Sequence, residues 1–265
     1  MKVKAMTFNI RVDVESDRDN AWGYRTEYIG KLMHSIKPHL LGLQEVKPHM
    51  LKTVEQLLDN YHWIGEYRAE NDEANPLFYD KAFFQLLDHD TFWLSETPER
   101  PGSNDWGDLP RICTWGRLQN KENPHKVFLA FNTHLDHISE EARTKGMQLI
   151  WTRMKNLIAQ FHCPALLMGD FNAAPDSDTI RFADGQLELE GVRVHLQNSY
   201  QVLDNSSGES IGCTFHDFSG DTRGEPIDYI FVTQEITLHQ SHIHREHFEG
   251  NYPSDHYPLV AHITI

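Results

Sequence analysis

Cysteine is scarce: the 265-residue chain has three, Cys113, Cys163 and Cys213. An odd number at wide spacing argues against a disulfide framework or a zinc ribbon and suggests a reducing compartment. No apolar run approaches the ~18 residues of a membrane-spanning helix. Low-complexity tracts, linkers and strong repeats are also missing, so one large domain over residues 1–265 is the simplest organisation. The opening Met1-Lys2-Val3-Lys4-Ala5-Met6 leads straight into a strand pattern and lacks the apolar core of a signal peptide. A cytoplasmic location is expected. Positive charge is short as well, with 24 Lys and Arg against 39 Asp and Glu and a net charge of −15. Binding to long duplex nucleic acid rests on cations that displace counterions, so this balance disfavours such a partner. A bound divalent ion can still invert the field within a cleft.

What is present centres on Ala165-Leu166-Leu167-Met168-Gly169-Asp170-Phe171-Asn172-Ala173-Ala174-Pro175. The apolar start reads as a strand buried on both faces. Gly169 permits a turn or a close backbone approach, and alternation points Asp170 and Asn172 to one side. An Asx-turn is the plain alternative for this pair.

Along the chain, Val3–Ile10 reads as a strand and 13–20 as a charged loop. Ile29, Leu32, Met33 and Ile36 mark an amphipathic helix over 24–36, stopped by Pro38. Leu40–Leu43 is a short buried strand followed by Gln44-Glu45, and Leu51, Val54, Leu57, Leu58 and Tyr61 mark a second helix. This alternation argues for an α/β fold. Short strands are predicted at 77–79, 83–87, 91–94, 112–118 and 127–132, with a loop over 98–110. Ser139 caps a helix running to about Phe161, with Glu140 and Glu141 in its first turn and Leu149, Leu157 and Ile158 inward. Ser177-Asp178 starts another short helix. Residues 185–212 are weakly patterned, and 227–232 and 256–265 close the chain as strands.

One regularity carries the functional argument. Predicted strand after predicted strand terminates in a polar residue: Asn9, Glu45, His134, Asp170 with Asn172, Asp228, and Asp255 with His256. Each alone has an ordinary reading as a turn residue, a solvated charge or a partnered buried polar group. Six together match the way ligand sites gather at strand ends in α/β folds. Hard oxygen ligands without cysteine select Mg2+ or Mn2+. A carboxylate near water and a histidine held by Asp228 complete what phosphoester hydrolysis requires.

The ordered runs Thr7-Phe8-Asn9-Ile10, Gln44-Glu45-Val46, Asn132-Thr133-His134, Gly169-Asp170-Phe171-Asn172, Ile227-Asp228-Tyr229-Ile230-Phe231 and Ser254-Asp255-His256 resemble the motifs of the endonuclease/exonuclease/phosphatase superfamily. Residues 91–98 resemble an uncharacterised bacterial branch. The resemblance implies a DNase I-like four-layer α/β sandwich, with two mixed sheets flanked by helices. It implies Glu45 as principal metal ligand with Asn9 and Asp255 nearby, and Asp170 aligning or activating water with Asn172 beside it. It also implies His256 on the phosphate, oriented by Asp228, and His134 on the phosphate or leaving-group side. The family often places a second glutamate after a glycine; here the glycine is absent, and Glu73 stands as the candidate partner of His134. Arg111 is a candidate phosphate ligand, with a surface ion pair as its alternative.

The expected activity is metal-dependent hydrolysis of a phosphoester, by phosphodiesterase or phosphatase chemistry, on a small ester or short single strand. A nuclease is the nearest alternative, held to DNA or RNA by Arg11, Arg25 and Arg111. Asn132-Thr133-His134-Leu135-Asp136-His137 also approaches the zinc signature of metallo-β-lactamase-like enzymes, with asparagine replacing the first histidine. His242, His244 and His247 form either a metal cluster or the wet edge of a strand. A non-catalytic binding protein on the same fold is the remaining option. Trp22, Trp106, Phe215 and Tyr257 line the cleft or belong to the core. Nothing in the sequence points to a protein partner.

Overall fold

The computed structural model describes residues 1–203 and 211–265. In chain order the elements are β1 (Lys2–Asn9), α1 (Trp22–Ile36), β2 (Leu40–Gln44), α2 (Pro48–Leu57), β3 (Tyr61–Ile64), β4 (Leu77–Asp80), β5 (Phe84–Trp93), β6 (Ile112–Asn120), β7 (Val127–His134), α3 (Glu140–Phe161), β8 (Ala165–Asp170), α4 (Asp178–Ala183), β9 (Glu188–Leu189), β10 (Val192–Arg193), β11 (Gln197–Asn198), β12 (Asp228–Val232), β13 (Thr237–Ile243) and β14 (Leu259–Thr264). One six-stranded sheet runs β13-β14-β1-β2-β4-β3 and the other β11-β12-β8-β7-β6-β5. Both are mixed: β1 and β2 are parallel, as are β7 and β8, and the other pairs are antiparallel.

Three apolar cores explain the layering. Val3, Ala5, Leu40 and Leu259 from the first sheet meet Phe128, Ala130, Leu166, Met168 and Ile230 from the second, so the sheets pack face to face. The opposite face of the first sheet, through Met6, Phe8, Leu41 and Val260, packs on α1 and α2. The outer face of the second packs on α3 and α4 through Leu129, Phe131, Leu167 and Phe231. The result is the expected four-layer sandwich. Strand β8 is buried along its whole length because it has apolar layers on both sides.

The local expectations hold in most places. Ser139 Oγ accepts the Ala142 N–H at 3.1 Å, and α3 ends at Phe161. The side chain of Ser177 caps α4. In α3, however, Ala142, Gly146, Met147, Ile150 and Met154 form the buried stripe, and Leu149, Leu157 and Ile158 are half-buried beside it. The second helix ends at Leu57, and Tyr61 opens β3 with its hydroxyl on the Pro38 carbonyl at 2.5 Å. The runs 83–87 and 91–94 form one strand, β5, because a register shift between Leu86 and Asp88 absorbs the polar interruption. The 13–20 loop contains a tight helical turn over Glu15–Asn20. Of the weakly patterned 185–212, residues 204–210 lie outside the described residues.

A polar seam crosses the sheet interface beneath the site. Asn132 of β7 donates to the carbonyls of Leu43 at 2.9 Å and Pro76 at 3.0 Å. It accepts from Gln44 Nε2 at 2.7 Å, and Gln44 reaches Thr7 Oγ1 at 3.1 Å. The sheets come this close because position 42 is glycine: a Cβ there would lie 2.6 Å from Asn132 Oδ1.

Candidate active site

Chain direction brings the polar strand termini to one edge. Strands β1, β2, β7 and β8 finish there with Asn9, Gln44-Glu45, His134 and Asp170. Antiparallel β12 starts at the same edge with Asp228, directly opposite Asp170. Asp255 and His256 lie just before β14, which runs antiparallel to β1. The six predicted positions therefore converge, two of them at strand starts rather than ends.

Backbone constraints hold them. Gly169 has φ +153°, and a Cβ there would lie 2.0 Å from the Thr133 carbonyl oxygen, so β8 can lie against β7 only with glycine. Glu45 takes a left-handed backbone, φ +64°, a conformation costing a non-glycine residue roughly 1–2 kcal/mol. Its carboxylate accepts from Asn9 Nδ2 at 2.9 Å and from Val12 N at 2.7 Å. The fully buried Arg25 of α1 donates to the carbonyls of Ile10 at 2.7 Å and Pro253 at 2.8 Å. It thereby ties the end of β1 to the segment carrying Asp255.

Asp170 Oδ2 is the centre of the arrangement. Asn9 Nδ2 donates to it at 3.0 Å, His134 Nε2 lies at 3.5 Å and His256 Nε2 at 3.7 Å. Its other oxygen accepts the Asn172 N–H at 2.9 Å, while the Asn172 side chain is held by the Leu135 carbonyl at 3.1 Å. The Asx-turn and the active-site reading of this pair therefore coexist. His256 Nδ1 meets Asp228 Oδ2 at 2.9 Å.

Electrostatics separate the two histidines. Burial works against a charged His256, but Asp228, Asp170 and Asp255 outweigh it and raise its pKa. Burial, reinforced by Arg111, Arg68 and His256, drives His134 well below its ordinary value, so it is neutral. Burial and the facing Asp228 push the Asp170 carboxyl above its ordinary range, with Asn9 and His256 opposing. Burial raises Asp255 in the same direction, and Glu45 adds to the rise.

Glu45, His134, Asp170, Asp255 and His256 line a cavity of about 320 Å³ together with Arg11, Arg68, Glu73, Arg111, His137, Asn172 and Phe215. Asp170, Asp228 and His256 form a candidate metal-binding triad, with one potential ligand atom from each within 4.8 Å of the others. The His256 and Asp228 atoms of this triad already bond each other. Glu45 and Asp255 face the same cavity with hard oxygens. Arg11 lies 3.6 Å from Asp255 and is chelated by Asp17. This acidic, oxygen-only group fits a hard divalent ion.

A model described as the endonuclease/exonuclease/phosphatase family matches residues 6–256. The chain belongs to that family. It is 32% identical to an endonuclease/exonuclease/phosphatase from Bacteroides vulgatus, covering 100% of this chain and 99% of that one with a TM-score of 0.88. A mannosyl-6-phosphatase from Bacteroides thetaiotaomicron is 28% identical over 99% of this chain and 100% of its own, also at TM-score 0.88. Human nocturnin shares the fold at 21% identity, with 99% and 94% coverage and TM-score 0.76. Protein angel of Drosophila melanogaster is 24% identical over 207 residues, 74% of this chain. The chain covers 56% of the length of that curated relative.

Within this family site, several expectations change. Glu73 lines the cavity but accepts from Arg68 Nη2 at 3.0 Å, whereas His134 Nδ1 has no hydrogen-bond partner. The arginine supplies the charge that an imidazole would have supplied, so the proposed Glu73–His134 pair does not form. Arg111 is buried rather than on the surface. Arg25 is consumed by backbone carbonyls and is not free for nucleic acid. In the zinc-like run, Asn132 serves the inter-sheet seam. Asp136 accepts the backbone N–H groups of Ile138 and Ser139 at 2.9 and 2.7 Å, and His137 meets Arg111 at 3.1 Å. His242 lies on edge strand β13, while His244 pairs with Glu246 at 3.0 Å. Among the four aromatics, Trp22 and Tyr257 are core and Trp106 is half-buried on the α3 side. Phe215 is exposed at the cavity, 5.1 Å from the His256 ring. Arg68 had no sequence signal beyond an Asp four residues later, which reads as an ordinary ion pair.

Proposed function

We propose that this chain is a hydrolase that cleaves small phosphoesters with a divalent metal, Mg2+ or Mn2+. The observation that carries the reading is Asp170 Oδ2, placed within 3.0–3.7 Å of Asn9, His134 and His256 at the floor of a 320 Å³ cavity. That volume is at the small end of the ~300–1,000 Å³ range of small-molecule sites. The mannosyl-6-phosphatase similarity, full-length on both sides, supports a small phosphorylated substrate.

In this reading Glu45 is the principal metal ligand, with Asn9 and Asp255 beside it, and a bound ion supplies neutralisation of phosphate charge. Asp170 orients the attacking water and takes its proton through Oδ2, its other oxygen being held by the Asn172 N–H. His256, kept cationic by Asp228, stabilises the oxygen charge that grows on phosphorus. Neutral His134 lies across Asp170 from His256 and contacts the phosphate or leaving group. The cytoplasm is the compartment this reading assigns, in keeping with three buried, unbridged cysteines.

Metal removal tests it. Activity on a panel of phosphomonoesters and diesters should vanish in chelator and return with magnesium or manganese. Glu45→Gln should need more magnesium and recover part of the activity at high concentration. Full activity in chelator would sink the metal reading. Inactivity of the folded, metal-loaded protein on all esters would leave a binding protein on this fold.

A further inference from the structure

The cavity lining combines carboxylates with nitrogen groups. Glu45, Asp255 and Asp170 contribute carboxylates to its lining; His134, His137 and Arg111 contribute nitrogen groups, with His134 Nε2 3.5 Å from Asp170 Oδ2. Arg111 is 6% exposed. Its Nη2 meets His137 Nδ1 at 3.1 Å, and its Nε has no partner. No carboxylate lies within 4.0 Å of its guanidinium among the described residues. Glu73, Asp136 and Asp170 act on it only at longer range, and Arg68 opposes it. A buried guanidinium with an orphan N–H is costly unless a ligand completes it. The adjoining His134 Nδ1 is also buried and unpaired. Both unmet polar groups belong to residues that line the cavity. Arg111 is held there by β6, whose neighbouring backbone pairs with Leu94 through Leu94 N to Arg111 O at 2.7 Å.

We infer that Arg111, with His134, is the receptor for a third non-bridging phosphate oxygen, and that it makes this site selective for phosphate monoesters over diesters. The inference rests on the phosphoester reading above. A diester has two non-bridging oxygens, which the carboxylate-and-metal side and His256 accommodate. A monoester has three and carries nearly one extra negative charge at neutral pH. Of the arginines that line the cavity, Arg11 and Arg68 are already paired with carboxylates, which leaves Arg111 to meet both. Guanidinium N–H groups offer fixed donors to phosphate oxygens, which a lysine replaces as a point charge. Leu109, Ile227 and Phe215, also lining the cavity, leave an apolar rim for the alcohol part.

The test compares wild type, Arg111→Gln and Arg111→Lys with magnesium on 4-nitrophenyl phosphate and bis(4-nitrophenyl) phosphate. Arg111→Gln should lose about 10²-fold in kcat/KM on the monoester and little on the diester, and Arg111→Lys should recover part of the loss. A calorimetric titration uses inorganic phosphate and dimethyl phosphate as probes and needs no turnover. Phosphate affinity should fall about tenfold or more in Arg111→Gln, with dimethyl phosphate unaffected. Equal losses on both esters, or equal losses for both probes, would overturn the assignment. A wild type inactive on both esters would refute the hydrolase reading, and the titration would still decide the role of Arg111. If Arg111→Gln does not fold, the Arg111→Lys ratio between monoester and diester decides: an unchanged ratio counts against the selectivity, a lowered one supports it.

Discussion

Asp170 occupies a position where burial, a facing carboxylate and two imidazoles compete over one oxygen. Asp170→Asn keeps the shape and the Asn172 contact but cannot take a proton from water. We expect a loss of about 10²–10⁴-fold in kcat, with thermal stability unchanged or raised because the Asp170–Asp228 repulsion disappears. Steady-state kinetics beside a melting curve check this; unfolding with activity per folded molecule intact would make Asp170 a turn residue only. At this scale the site was legible where function demands a particular residue type at a strand terminus. Asn9, Glu45, His134, Asp170, Asn172, Asp228, Asp255 and His256 all stand at or beside one edge. The failures have a common cause. Glu73 and Arg68 lie on the connection between β3 and β4, and their pairing depends on how that loop folds over the cavity. Composition and periodicity carry no record of that folding, so Glu73 was assigned the wrong partner and Arg68 was not seen.

Helices and central strands were readable because their burial patterns follow period 3.6 or continuous apolar runs. Edge strands were less so: β13 alternates weakly with exposed histidines, and Tyr61, which fits the apolar spacing of α2, opens β3 instead. Asn132 shows a subtler limit. Its place in an Asn-Thr-His run suggested the site, whereas its side chain spans the sheet interface, opposite a glycine 90 positions earlier. Pairing of β1 with β2 supplies a prediction at this scale. The Lys4 backbone N–H donates to His39 Nδ1 at 2.9 Å, which requires a neutral ring nitrogen. Burial lowers the His39 pKa; Lys4 and His262 push the same way and Asp80 opposes. The unfolded state therefore takes up this proton first. The His39 contribution is present above about pH 6.5 and is lost as pH falls toward the lower folded value. His39→Asn retains an acceptor without the titration. Its melting temperature should fall less than that of wild type between pH 7 and pH 5, and parallel curves would show that the proton on His39 does not matter.

The molecule as a whole carries −15 charges. We expect specificity constants for small esters or short single strands to exceed those for long duplex DNA at both low and moderate salt. Efficient duplex cleavage that weakens steeply with salt would reveal a basic track and favour a nuclease. The overall architecture was legible through its motifs: periodicity alone yields α/β, and the four layers came with the family resemblance. One feature of the sandwich also governs when the enzyme comes into being. Strand β14 is inserted between β1 and β13, and the residues just ahead of it complete the site begun by Asn9. On the ribosome, β1 and its asparagine emerge early, while Asp255 and His256 follow only after nearly every other element has been made. Until then β1 and β13 lack the strand that joins them, and Asp170 and Asp228 lack the imidazole of His256. On the mechanism proposed above, a nascent chain is thus without a functioning centre until β14 joins β1, and catalysis can begin only then.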